Sequence, residues 1–327
     1  MATHLPLVMQ NLFNRPIAMS GRHAEMIVAA LAGRLDIAAL TSNTVTFDRA
    51  ALNDMAARGR NEARIEPMLR AAKMDASPDG PMIVPKDEWS WSAWVRGTPY
   101  PLSASGIAII DVLGTLTRTW GCDPYSGSTG YDGIWTKLAY AMDDPAVKGI
   151  WLRINSGGGA VDGLYDLVDA VWQCSQRNGG KPIWAFAGDY AYSAAYALAM
   201  ACDRVFAPAM GGVGSIGTLA IFIDYTKMME DEGIKATIFR APDRKAIGVG
   251  GLEALDSPEI DKIQAMIEEA TAYFQERAAL YRGVSKSTIS ETRGNDYTAT
   301  QAKAIGLIDA VLREQDAWSE FERAIAA

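Results

Sequence analysis

The chain has 327 residues, enough for one large domain with an appendage or for two domains. Hydrophobic residues make up 49% and charged residues 21%, an ordinary globular balance. With 31 basic against 39 acidic side chains the net charge is −8, and no Lys/Arg block stands out to neutralise phosphates, which argues against a nucleic-acid partner.

The N-terminal "MATHLPLVMQNLFNRP" lacks a basic stretch followed by a long apolar core, so no signal peptide is expected. Ala24–Leu40 predicts a helix. Its apolar run is broken by Arg34 and Asp36, whereas a membrane span needs ~20 uninterrupted apolar residues. The chain is therefore expected to be soluble, with no membrane partner. Polar sequence follows, and then Trp89, Trp91 and Trp94, whose closeness predicts local core packing. Residues 1–104 are taken together as a helical and irregular appendage.

From residue 105 the pattern changes to apolar runs of strand length alternating with helical periodicity. "GIAIIDVLG", "VKGIWLRI", "KPIWAFA", "DRVFAP", "SIGTLAIFI" and "IKATIF" predict strands. "GYDGIWTKLAYAMDDP", "AVDGLYDLVDAVWQC", "SAAYALAMA" and "YTKMMEDEG" predict helices. A long helix is expected after Ser257 as N-cap with Pro258 in its first turn, with Ile260, Ile263, Ile267 and Phe274 on one face. "YTATQAKAIGLIDAVL" closes with a helix and a strand. This order predicts an α/β domain over 105–313, a mainly parallel sheet covered by helices, and a tail over 314–327.

Chemistry is constrained by scarcity. Cys122, Cys174 and Cys202 lie far apart, so neither a disulfide framework nor a zinc ribbon is expected, and a reducing compartment suits them. His4 and His23 are the only histidines, which leaves no H-E-x-x-H metal site and makes a Ser-His-Asp triad improbable. No metal and no cofactor is expected.

Three turns could hold a site. In "RINSGGGAVDG" the strand is expected to end at Ile154 and a helix to follow the glycines, a geometry equally suited to a phosphate, an oxyanion or a plain turn. "GVGSIG" matches G-x-G-x-x-G, but the β-like "TLAIFI" follows where a dinucleotide site needs a helix. "YAYSAAYALAM" puts Ser193 at a loop-to-helix transition, where it reads either as a helix cap or as a nucleophile with a lysine as base.

"NSGGG", "YSAAY", "GVGSIG", "RKAIG" and "AIGLID", in this order, resemble the signal peptide peptidase A family of serine proteases. Within that family the chain is most similar to the head-maturation proteases of lambda-type tailed phages, through "LFNRPIAM", "ALAGRL" and "DPYSGSTGYDGI". The resemblance implies a Clp-protease/crotonase-like fold and a Ser–Lys dyad. Ser193 matches the nucleophile, Lys245 the general base and Ser215 a serine that orients the lysine. The N–H groups of Gly158 and Ala194 match the oxyanion hole. A lysine base must be neutral, a state that burial favours, and Ala246, Ile247 and Gly248 were suited to line such a pocket, with Arg244 adding repulsion if it points the same way.

The implied function is a serine endopeptidase in the host cytoplasm, inside the assembling procapsid, cutting scaffold, portal or coat proteins and itself, as a homo-oligomer. The alternatives are a general signal-peptide-type peptidase, a crotonase-like acyl-CoA enzyme and an inactive capsid-assembly protein. Three departures from the family pattern stand at the site: Gly157 where Pro is frequent, Ala194 where Gly is frequent, and Arg244, before Lys245, where His is frequent.

Overall fold

The computed structural model describes residues 17–19, 98–118 and 127–326. The helix expected over Ala24–Leu40, the tryptophans at 89, 91 and 94, Cys122 and both histidines lie outside these residues.

In chain order the elements are β1 (Ile17–Met19), β2 (Ile107–Thr117), β3 (Ser128–Gly130), α1 (Tyr131–Asp143), β4 (Gly149–Ala160), α2 (Leu164–Cys174) and β5 (Ile183–Tyr192). Next come α3 (Ala194–Met200), β6 (Arg204–Ala207), β7 (Gly212–Gly214), α4 (Thr226–Asp231) and α5 (Ser257–Arg282). The chain closes with α6 (Lys286–Glu291), β8 (Asp296–Thr298), α7 (Ala299–Ala304), β9 (Ala310–Val311) and α8 (Glu314–Ala326). The central strands run β3-β2-β4-β5-β6-β9, with β1 on β4 and β7 between β5 and β8. All pairings are parallel except β1 with β4 and β7 with β8. The α/β architecture with a mainly parallel sheet is thus as expected.

Successive side chains of a strand point to opposite faces, and both faces of this sheet are covered. Ile110, Val112, Ile150, Leu152, Ile154, Ile183 and Ala185 pack under α1, α2 and α3 in one core. The alternate residues Ile107, Ile109, Trp151, Trp184 and Phe186 form a second core with Ala317 and Phe321 of α8. Phe321 stacks on Trp184 with ring centroids 4.5 Å apart. The stretch read as a tail is thus the helix that seals the second face. Its period of apolar residues, Ala317, Phe321 and Ile325, was available in the sequence.

Four expectations differ from the structure. "SIGTLAIFI" forms no strand beyond Gly212–Gly214 and an isolated bridge at Leu219, and "IKATIF" runs as an irregular, largely exposed segment. Both carry β-prone residues, but a strand exists only where another strand supplies a ladder. The long helix is capped by Asp256 rather than Ser257: the Asp256 carboxylate accepts from the Glu259 N–H and pairs with Arg244, which holds it down to about 2. Of its predicted apolar face only Phe274 is buried, and Ile260 remains 50% exposed.

The buried end of α5 is clamped to α2 through Asp169, whose carboxylate accepts from Arg277 at 3.1 Å and from the Tyr281 hydroxyl at 2.5 Å. Partial burial works to raise Asp169, but the hydrogen bonds from Arg277 and Tyr281 outweigh it and leave the carboxyl below its ordinary 3.8. A depressed carboxyl stabilises the fold above the unfolded-state value and loses that contribution as pH falls through the folded-state value. Asp169→Ala is therefore expected to lose about 2 kcal/mol at pH 7. Urea titrations at pH 7 and pH 3 should show the gap between variant and parent narrowing at the lower pH.

Candidate active site

The candidate residues converge where parallel strands end side by side. Ser156 of β4 pairs with Ala191 of β5, and Tyr192 of β5 pairs with Gly214 of β7. Ser193 and Ser215 therefore follow directly on the ends of β5 and β7, and Gly158 lies in the last few residues of the adjacent β4, two before its end. The Ser193 N–H donates to the Gly214 carbonyl at 2.8 Å, and the Ser215 N–H to that of Asn295 at 2.9 Å.

Ser193 occupies the turn from β5 into α3 with φ 54° and ψ −120°, and is fully buried. A capping serine has extended backbone and accepts a hydrogen bond from the first helical turn. Ser193 has neither: its side chain makes no cap bond, and its Oγ reaches only the Gly217 carbonyl, at 3.4 Å. A positive φ at a non-glycine residue costs about 1–3 kcal/mol and persists only where the surroundings impose it. Ser193 is thus a strained residue at a strand-to-helix turn, with its hydroxyl withdrawn from solvent. Ser215, 8% exposed, shares this backbone with φ 56°.

Ala194 opens α3, so its N–H has no partner within the helix. Gly158 differs from expectation in its setting. Rather than preceding a helix, the glycines prolong β4 to Ala160, because β2 pairs with Gly158 and Gly159 on one edge and β1 on the other. The Gly158 N–H, at φ 102°, donates to Ser156 Oγ at 3.1 Å. The buried Tyr131 hydroxyl donates to the Ala160 carbonyl at 2.6 Å and anchors the strand end. A side chain cannot enter at Gly159, where a Cβ would stand 1.9 Å from the Leu116 oxygen. Gly159→Ala is accordingly expected to cost about 1–3 kcal/mol or more, read as a lower urea midpoint.

The structure does not join Lys245 to this group. It lies exposed on the turn around Ala241–Ala246, with its N–H donating to the Pro242 carbonyl at 3.1 Å, and its ammonium has no hydrogen bond or ion pair among the described residues. Arg244 points elsewhere, clasping Asp256 at 2.8 and 2.9 Å. Lys235 is also exposed and lines a recess of about 360 Å³ beside α4 whose lining includes neither Ser193 nor Gly158. Among the described residues Lys181 is the lysine that burial lowers, and its ammonium is committed to the Ala141 and Asp144 carbonyls at 2.9 and 2.7 Å.

Cysteine chemistry is disfavoured at the described thiols. Burial pushes both Cys174 and Cys202 up, away from the reactive thiolate. Among the described residues no group of three or more His, Cys, Asp or Glu side chains could hold a metal.

Fold and site together define an α/β protein with a strained, buried serine at a strand-to-helix turn. Residues 175–326 match the model of peptidase family S49. It is 34% identical over 222 residues to a head-tail preconnector protein of Enterobacteria phage P21, covering 68% of this chain and 44% of that protein. It is 28% identical over 325 residues to capsid assembly protease C of Escherichia phage lambda, covering 99% of this chain and 67% of the relative. The chain thus spans less than half of the first relative's length and about two thirds of the second's. Among solved structures, a membrane protease from Pyrococcus horikoshii specific for a stomatin homolog aligns over 65% of this chain and 76% of its own, at 13% identity and a TM-score of 0.39. An enoyl-CoA hydratase/isomerase family member aligns over 69% of this chain and 74% of its own, at 15% identity and a TM-score of 0.40.

Proposed function

We propose that the chain is a serine endopeptidase of phage procapsid maturation, acting in the host cytoplasm on scaffold, portal or coat proteins and on itself. The observation that carries this reading is Ser193: buried, at φ 54°, on a strand-to-helix turn, with no capping bond to explain it. The S49 match and the capsid assembly protease of phage lambda support the same reading.

In the proposed reaction Ser193 Oγ attacks the scissile carbonyl and its proton passes to the neutral amine of Lys245. The tetrahedral oxyanion takes hydrogen bonds from the Gly158 and Ala194 N–H groups, Gly158 exchanging Ser156 Oγ for it. Lys245 then returns the proton to the leaving amine as the C–N bond breaks, and water hydrolyses the ester to free Ser193. Ser215, beside Ser193, orients the lysine.

Such a dyad requires the turn bearing Lys245 to close over Ser193 and shed water. The neighbouring apolar surface points to a second copy of the chain as the cover: Ile234 is 60% and Phe239 92% exposed in the segment that has no strand partner among the described residues. A homo-oligomer is therefore expected. Light scattering at micromolar concentration should give a mass at least twice the 35.3 kDa of one chain, and a 35.3 kDa particle would remove this part of the reading.

Labelling with an alkyl fluorophosphonate tests the function directly. Ser193 should be phosphonylated and casein cleavage lost with it. Labelling at another serine, or none, would refute the assignment.

A further inference from the structure

Strand β1 has an unusual position. A strand has two edges, and at Gly158 and Gly159 one edge of β4 is held by Thr115 and Leu116 of β2. The other edge belongs to β5 as far as the Ser156–Ala191 pair, after which β5 turns through Ser193 into α3. Residues Ile17–Met19 take up the edge that β5 vacates, antiparallel, with Met19 opposite Gly158, Ala18 opposite Gly159 and Ile17 opposite Ala160. The three-residue strand thus fills the edge next to the serine, and among the described residues β4 is its only strand partner.

An extended peptide recognised by strand addition needs such an edge: its backbone N–H and C=O groups pair with the strand, and its scissile carbonyl reaches the residue beside it. A substrate approaching Ser193 along β4 would require the same edge of Gly158–Ala160 that β1 now lines. Three residues on one partner strand are held by few hydrogen bonds, each worth about 0.5–1.5 kcal/mol net, so the exchange is within reach of a peptide substrate.

We propose that Ile17–Met19 is a built-in strand plug that closes the peptide-binding edge of β4 beside Ser193, and that substrate enters by displacing it. The proposal rests on the reading of Ser193 as nucleophile. It adds that the chain's own N-terminal segment governs access to that serine.

The test uses the full chain with Ala18→Pro and Met19→Pro together. Adjacent residues in a strand direct their N–H groups to opposite edges, so one of the two prolines must remove a donor facing β4. Casein cleavage should rise about threefold to tenfold, the factor for one lost hydrogen bond. Alkyl fluorophosphonate labelling of Ser193 in both chains checks the underlying reading separately: absence of labelling in both refutes the nucleophile. Labelling in both with equal casein turnover refutes the plug.

The unmodified chain supplies a second measurement if the double variant fails to fold. Phosphonylating Ser193 with a tripeptidyl aryl phosphonate, whose phenoxide leaves as the O–P bond forms, should speed hydrogen exchange at Ile17–Met19, because the inhibitor backbone takes over the edge. Unchanged exchange would overturn the proposal. So would a Ser193-dependent cut between Arg15 and Arg22 in the unmodified chain, since the segment would then be a substrate rather than a standing plug.

Discussion

Ser193→Ala is expected to fold like the parent and to lose casein cleavage by about 10⁴-fold or more, the scale seen when a serine protease loses its nucleophile. Stability should hardly change, because the variant keeps the Cβ and the φ of 54° and gives up only an Oγ contact of 3.4 Å. Ser193→Gly separates the two roles further. Glycine adopts positive φ without penalty, so this variant should be about 1 kcal/mol more stable than the parent while equally inactive. A serine that served the fold would show the reverse, with stability falling and activity surviving. Urea midpoints and turnover measured on the same preparations decide between them.

Lys245→Met is expected to lower cleavage by about 10²–10⁴-fold, the range supplied by a positioned general base. Methionine keeps an unbranched apolar stem and removes the amine. Lys245→Arg should be equally inactive, since a guanidinium stays protonated at any working pH and cannot accept the serine proton. Neither change should alter the unfolding midpoint by more than about 0.5 kcal/mol, because the side chain is exposed and its ammonium is unpaired among the described residues. That combination, a catalytic loss with no loss of stability, is the signature sought. Wild-type turnover by Lys245→Met would move the search to Lys235, the lysine beside α4.

Much of the architecture was legible in the sequence because it depends on local pattern. The runs in β2, β4 and β5 are apolar on both faces, as buried parallel strands must be, and the intervening helices carry one apolar stripe each. Pro258 marked the start of α5 to within one residue, although Asp256 supplied the cap. The family resemblance points to Ser193, Ser215 and Gly158, and the strand register places them on the neighbouring strands β5, β7 and β4, toward their C-terminal ends.

The rest is non-local. Whether "NSGGG" turns or continues as strand depends on β2 and β1 lying alongside it, the first contributed by residues 115 and 116 and the second by residues 17–19. Whether "SIGTLAIFI" and "IKATIF" become strands depends on a partner that the described residues of a single chain do not supply. The left-handed backbone of Ser193 is imposed by the β5–β7 pairing on one side and the buried start of α3 on the other, so nothing in "YSAAY" alone separates nucleophile from cap. Propensity and periodicity are properties of a stretch of chain and can be read from it. Ladder pairing, edge occupancy and strained torsions depend on residues distant in sequence, and only the tertiary structure decides them.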